Sequence, residues 1–168
     1  MRNTTPDYWL RGSVEEVPPL LQPAAHALLQ SQLEAHRYTE GFKETMLWDT
    51  VFGRASLGFH LQHISGVIDR VLTYAQHKPP SKSQFIYLKN EGKANDETTL
   101  ALLLSNLDAK IEESLLYYKT LKDTDLTQYR PVGRKHLPFT LIVVLFHAAE
   151  HSQRHIGQLL VTVSSLEN

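Results

Sequence analysis

Apolar residues recur every three or four positions in four separate stretches of this chain, and that spacing leaves few folds open. The cleanest stretch places Leu57, Leu61, Ile64, Ile68, Val71 and Ala75 in a heptad-like row, with Gln62, Ser65, Asp69, Thr73 and Gln76 on the far side. At about 100° per residue such a row is one face of a helix, and only other helices can cover it along its length. The same period predicts helices over 24–43, 56–77, 96–121 and 138–163. Leu21, Leu28 and Leu33 mark the first, Leu103, Leu107 and Ile111 the third, and Leu141, Val144 and Leu159 the fourth. Pro18-Pro19 suits a first helical turn, and Ser56 is placed to cap the second helix. No segment alternates with period two beside turn residues, so no sheet is expected. The expected fold class is all-α, a four-helix bundle with long connections. A single domain spans 1–168, led by an irregular segment over 1–17. The longest connection is 78–95, and loops of that length often carry function.

Composition narrows the function. The chain has 168 residues, of which 42% are apolar and 21% charged, enough for one domain with a real core. A formal net charge of −1 gives no electrostatic footprint for nucleic acid. The absence of cysteine excludes disulfides, thiolate ligands and a cysteine nucleophile. The longest strictly apolar run, Leu141 to Phe146, is far too short to span a membrane, and Met1 to Asp7 holds no apolar signal core. The expected setting is cytoplasmic, with no membrane or nucleic-acid partner.

Histidine supplies the chemistry. Nine histidines are present, and five of them (His60, His63, His147, His151 and His155) fall in two helical stretches. Four residues advance a helix by about 400°, so His147, His151 and His155 stack along one side, and neighbours at this spacing can share a metal ion. On a helical wheel His151 and His155 fall in line with Leu141, Val144, Ala148 and Leu159. His147 lies at the edge of the polar arc formed by Glu150, Gln153, Arg154 and Gly157. An imidazole in an apolar seam loses its hydrogen bonds to water, and a divalent ion is an economical partner for two of them. On the 56–77 helix, periodicity slightly favours His60 over His63 as the inward residue. Asp69 and Arg70 read as a solvated face. Trp48 and Phe52 could line a pocket mouth or simply pack, and Tyr117-Tyr118 straddles the core edge.

Gly53-Arg-Ala-Ser-Leu-Gly-Phe-His60-Leu-Gln-His63-Ile-Ser-Gly66, followed some ninety residues later by His151-Ser-Gln-Arg-His155-Ile-Gly-Gln158, resembles the DinB-like family. The segment from Val14 to Leu29 also looks like the start of the first helix in bacterial members, so the similarity covers about 12–163. The resemblance implies a bundle shared with bacterial bacillithiol and mycothiol transferases and mycothiol-dependent maleylpyruvate isomerase. It implies a divalent metal, commonly nickel or zinc, held by one histidine of the second helix and a paired H-x-x-x-H of the last. Matched by position, those ligands are His63, His151 and His155. His60 and His147 then become supporting or pocket-lining residues with a catalytic part in orienting a ligand or moving a proton.

Two functions follow. One is a metal-dependent enzyme, a thiol S-transferase or hydrolase type, in which the ion activates a low-molecular-weight thiol or water against a small-molecule substrate. With no cysteine in the chain, any thiol must come from a cofactor. The other is a non-catalytic metal-binding bundle, a stress or scaffold protein acting through dimerisation. In either case a homodimer is the expected assembly, and ligation weakens below about pH 6 because each imidazole must be neutral.

Overall fold

The second helix forms where its apolar row predicts. It spans Leu57–Ala75 (α2), and the Ser56 hydroxyl caps it by accepting the Phe59 N–H at 3.2 Å. The structure is a computed structural model that describes residues 6–167. Residues 1–5 of the irregular leading segment lie outside that range. The remaining helices are α1 Gln22–Tyr38, α3 Lys82–Asn90, α4 Leu100–Lys119 and α5 Leu141–Glu167. The chain is all-α in character, and α1, α2, α4 and α5 make the bundle. α5 packs along α1 and α2, and α4 lies against α2 and α1. No helix of the described residues is long and apolar enough to cross a membrane.

The core is the set of rows the sequence displays. Leu28 of α1, Leu61, Ile64 and Ile68 of α2, Leu107 and Ile111 of α4, and Leu145, Ile156 and Leu159 of α5 are buried together. Each such side chain contributes roughly 1.5–3 kcal/mol through burial. Tyr118 is buried, and its hydroxyl donates to the Leu145 carbonyl. Trp48 packs on the core and against Gly58, where a Cβ would stand 2.5 Å from the indole. Phe52 is exposed.

Two expectations about the connections fail. The 78–95 segment is no open loop, because it contains α3. A capping box starts that helix: Ser81 accepts the Gln84 N–H, and the Gln84 side chain accepts the Ser81 N–H at 2.8 Å. The Ser-x-x-Gln spelling was there to be read. The 122–137 connection and the residues that follow it contain a two-stranded antiparallel hairpin. β1 (Tyr129–Val132) pairs with β2 (Leu137–Thr140), with Pro131 opposite Pro138. Proline argues against a central strand, but in a two-stranded ribbon both strands are edges. β2 takes the residues expected to begin the last helix, so α5 starts at Leu141.

Asp69 and Arg70 are not a solvated face. Asp69 pairs with Lys110 of α4 at 2.7 Å and accepts from Gln84 of α3 at 2.7 Å. Gln62 and Ser65, expected on the far side of α2, are buried. The cause is the same for all four residues. α3 and the turn after it lie on the face of α2 that a bundle of four helices would leave wet.

Candidate metal centre

α2 and α5 cross so that one ring of α2 meets two of α5. Ring nitrogens of His63, His151 and His155 lie within 4.8 Å of one another, a grouping able to hold a metal ion. The ring centroids of His151 and His155 are 4.6 Å apart, as are those of His63 and His155. His63 Nε2 stands 3.0 Å from His151 Nε2. His151 and His155, the pair that the wheel turns inward, both enter the grouping and are half-buried. For α2 it is His63, the residue indicated by the resemblance, that enters the grouping. His60, which periodicity slightly favoured, is the more buried residue, but it stands behind the triad. Its Nδ1 is 3.0 Å from Nδ1 of His155.

A feature with no signature in the two histidine stretches completes the arrangement. Glu91, from the turn after α3, places Oε2 2.6 Å from His63 Nδ1 and Oε1 2.9 Å from Arg70 Nη1. Its side chain is only 3% exposed, so the carboxylate is a buried partner to both groups. Gly66 makes the approach possible. A Cβ there would collide with Glu91 Oε1 and stand 2.8 Å from Arg70 Nη1 and 2.9 Å from Tyr87 Cε1. The turn is fastened by the Gly92 N–H donating to Gln62 Oε1 at 2.7 Å and by the Tyr87 hydroxyl donating to the Gln62 carbonyl. Burial pushes the Tyr87 phenol up to about 12, so it stays a donor. Phe59 stacks on His63 with ring centroids 5.1 Å apart and planes 12° apart, fixing the ring from its other side. Gly66→Ala is therefore expected to displace Glu91 and cost about 1–3 kcal/mol of stability. Denaturant unfolding measures this, and an unchanged midpoint would show that the turn can give way freely.

The donor set fits a divalent ion. A carboxylate on Nδ1 of His63 keeps the proton there and leaves the lone pair on Nε2, the usual arrangement behind a metal-ligating histidine. That lone pair faces His151 Nε2. The other nitrogen, His151 Nδ1, is buried with no hydrogen-bond partner among the described residues. A neutral His151 is thus unsatisfied in either tautomer. A proton on Nε2 leaves a bare lone pair inside, and a proton on Nδ1 sets two lone pairs against each other. A shared cation removes the second conflict. Two nitrogens about 2.1 Å from one ion sit roughly 3.0–3.4 Å apart at ordinary coordination angles. The remaining unbonded N–H costs about 1–3 kcal/mol, well within the binding free energy of such ions.

The electrostatics keep the rings ready to ligate. Burial, reinforced by neighbouring imidazoles, lowers His151 and His155 to about 4. Burial first and His63 second lower His60 to about 4 as well. The proton competition expected near pH 6 is therefore displaced downward for His151 and His155. A consequence follows for the metal-free protein. Folded, these three rings take up protons only near pH 4, whereas unfolded they do so near 6.5. Between those values the unfolded state binds more protons, so stability is full above 6.5 and falls as pH drops toward 4. The loss is expected to be about 2–4 kcal/mol, kept small because two of the rings are partly exposed. Urea midpoints at pH 7.5, 5.5 and 4.5 measure it, and a flat profile would contradict the burial argument.

His147 lies outside the triad. It is exposed, and its Nδ1 is 2.8 Å from Glu150 Oε1, with Glu150 also paired to Arg154. His147, Glu150 and His151 form a second possible grouping, local to α5 and more open to solvent. His147, one turn before His151, also lines a cavity of about 460 Å³ together with Arg70 and a wall of apolar side chains, and none of the three triad rings is part of that lining. His60 borders another cavity on the opposite side, with Arg54 and Arg154.

No curated protein matches the chain. A family model described as the DinB superfamily matches residues 15–159, from the turn before α1 to the penultimate turns of α5 and including every histidine of the cluster. A match over that much of the chain settles its kinship, and the chain belongs to the DinB superfamily.

Proposed function

We propose that this protein is a divalent-metal-dependent enzyme of the thiol S-transferase or hydrolase type, with nickel or zinc held by His63, His151 and His155. The observation that carries the reading is an incomplete donor set, with a cavity wall one helical turn away at His147. Three histidines converge, and no fourth His, Asp or Glu joins their grouping among the described residues. Glu91 is spent on Nδ1 of His63 and on Arg70. Structural zinc sites are closed by four protein ligands, whereas catalytic ones keep a position for water or substrate.

A divalent ion held there supplies Lewis acidity, which lowers the pKa of a thiol or water and makes it a nucleophile near neutral pH. Glu91, which can only accept, fixes the tautomer of His63 so that it presents Nε2. His60 Nδ1, 3.0 Å from His155 Nδ1, is placed to accept a proton held there, which frees Nε2 of His155 to ligate. His60 is 1% exposed and orients His155 without meeting substrate. His147 is differently placed. Glu150 accepts its Nδ1–H, which leaves Nε2 as a base at the cavity wall to take the nucleophile's proton. The apolar wall excludes water around the small-molecule electrophile.

The test is a screen of nickel- or zinc-loaded protein with low-molecular-weight thiols and electrophiles, and with esters for the hydrolase form. Turnover is expected to require the ion, to vanish in His63→Ala and His155→Ala, and to fall at least about tenfold in His147→Ala. Bound ion without turnover, accompanied by ion-dependent dimers in sedimentation, would favour the scaffold reading.

A further inference from the structure

The cavity at His147 continues away from the triad. It shares Tyr74, Pro80 and Phe85 with a second cavity of about 600 Å³. Along α2 the combined wall of the two cavities runs from Val67, one turn beyond His63, through Arg70 and Tyr74 to His77 just past the helix end. From Arg70 to His77 the distance is about 10 Å at 1.5 Å per residue.

The two ends differ in chemistry. In the first cavity the walls include Val67, Val71, Phe85, Leu88, Phe139 and Val143, with Arg70, Tyr74 and His147 the charged or titratable members. At the far end Lys78, Arg134, His77 and His136 line the second cavity, and no acidic residue does. Lys78 Nζ hydrogen-bonds only to Gln76 Oε1, and the Arg134 guanidinium has no ion pair or hydrogen bond among the described residues. The basic end is therefore uncompensated.

The backbone adds a separate observation. His77 and His136 have φ of 61° and 49°, two of the four non-glycine residues in the left-handed region among the described residues. Such conformations cost of order 1–3 kcal/mol and gather at ligand-binding positions. Both stand at the basic end, one after α2 and one in the hairpin loop facing it.

We propose that the two cavities form one channel for a medium-chain carboxylate. Its carboxylate lies at Lys78 and Arg134, its apolar chain lies against Val71, Phe85 and Phe139, and its other end stands beside His147. This names the substrate class of the site proposed above and rests on that reading for its chemistry, though binding itself needs no ion. An apolar chamber of about 460 Å³ is within the range that holds small ligands. A chain long enough to reach both ends puts its single charge where the cations are.

Calorimetric titration of the full chain with octanoate and with octanol tests this. Octanoate is expected to bind at least tenfold more tightly than octanol. The double variant Lys78→Ala/Arg134→Ala, at exposed positions, should weaken octanoate about tenfold and leave octanol unchanged. Val143→Trp, filling the chamber from a half-exposed site on α5, should weaken both by more than tenfold, with circular dichroism confirming the fold. Absence of heat with octanoate would overturn the proposal, as would octanoate binding that neither variant alters. Equal binding of octanoate and octanol would overturn its anionic end. Octanoate binding should survive in His151→Ala, which separates the two readings. Binding there, with no turnover in any screen of loaded wild-type protein, sinks the enzyme reading alone. Turnover without octanoate binding sinks the channel alone.

Discussion

Replacing His151 by alanine should abolish stoichiometric binding of nickel or zinc, lowering affinity by more than about 100-fold. The ring's Nε2 stands 3.0 Å from that of His63, and its removal leaves two of the three converging histidines. Losing a ligand should exceed the 10–100-fold cost usual for losing a ligand's hydrogen-bond partner. Competition with a chromophoric chelator reads the affinity, and metal analysis of the dialysed protein reads the stoichiometry. His36→Ala is the control. His36 is exposed on α1 and pairs with Asp108 of α4, away from the triad. Full metal content in the His151→Ala protein would reject the ligand set outright.

Glu91→Ala should have the second-largest effect, and it should be seen in two measurements. Without the carboxylate, nothing holds the His63 proton on Nδ1, and affinity for the ion should fall about 10–100-fold. The metal-free protein should also lose about 2–4 kcal/mol, because the mostly buried Arg70 guanidinium keeps its desolvation cost and loses its partner. Glu91→Gln should lie between wild type and alanine in both, since the amide oxygen can still accept from His63 but carries no charge to Arg70. Chemical unfolding and chelator competition give the two numbers. A Glu91→Ala protein that binds ion with wild-type affinity would confine Glu91 to holding the turn.

The bundle was legible because its rows are long and regular. Leu57 to Ala75 reads as one buried face and is one. Ser56 reads as a cap and caps. His151 and His155 could be placed inward because α5 carries a wide apolar face that fixes its rotation. His63 could not be placed by the same means. A wheel assumes that the polar side of a helix meets water, whereas α3 and Glu91 cover that side of α2 and turn a boundary residue into a ligand candidate. Glu91 itself was hidden by distance along the chain and by residue type, since one glutamate in a polar connection looks like any other. α3 is too short, and its apolar residues too exposed, for periodicity to announce it, and only the capping box gave notice. The hairpin was masked by Pro131 and Pro138, which argue against a central strand but not against an edge, and a two-stranded ribbon is all edge.

The hairpin and α3 lie outside the bundle, yet they supply much of the wall of the cavity at His147, while the bundle helices supply the histidines themselves. The ion-holding rings sit on a rigid frame, and the surfaces that select a ligand sit on two replaceable attachments. A chain built this way can exchange its clientele by trading one connection for another of different length or polarity, and need not rebuild the chemistry at its centre. Glu91 is the toll on that freedom, because any replacement for the segment after α2 must still deliver a carboxylate to His63.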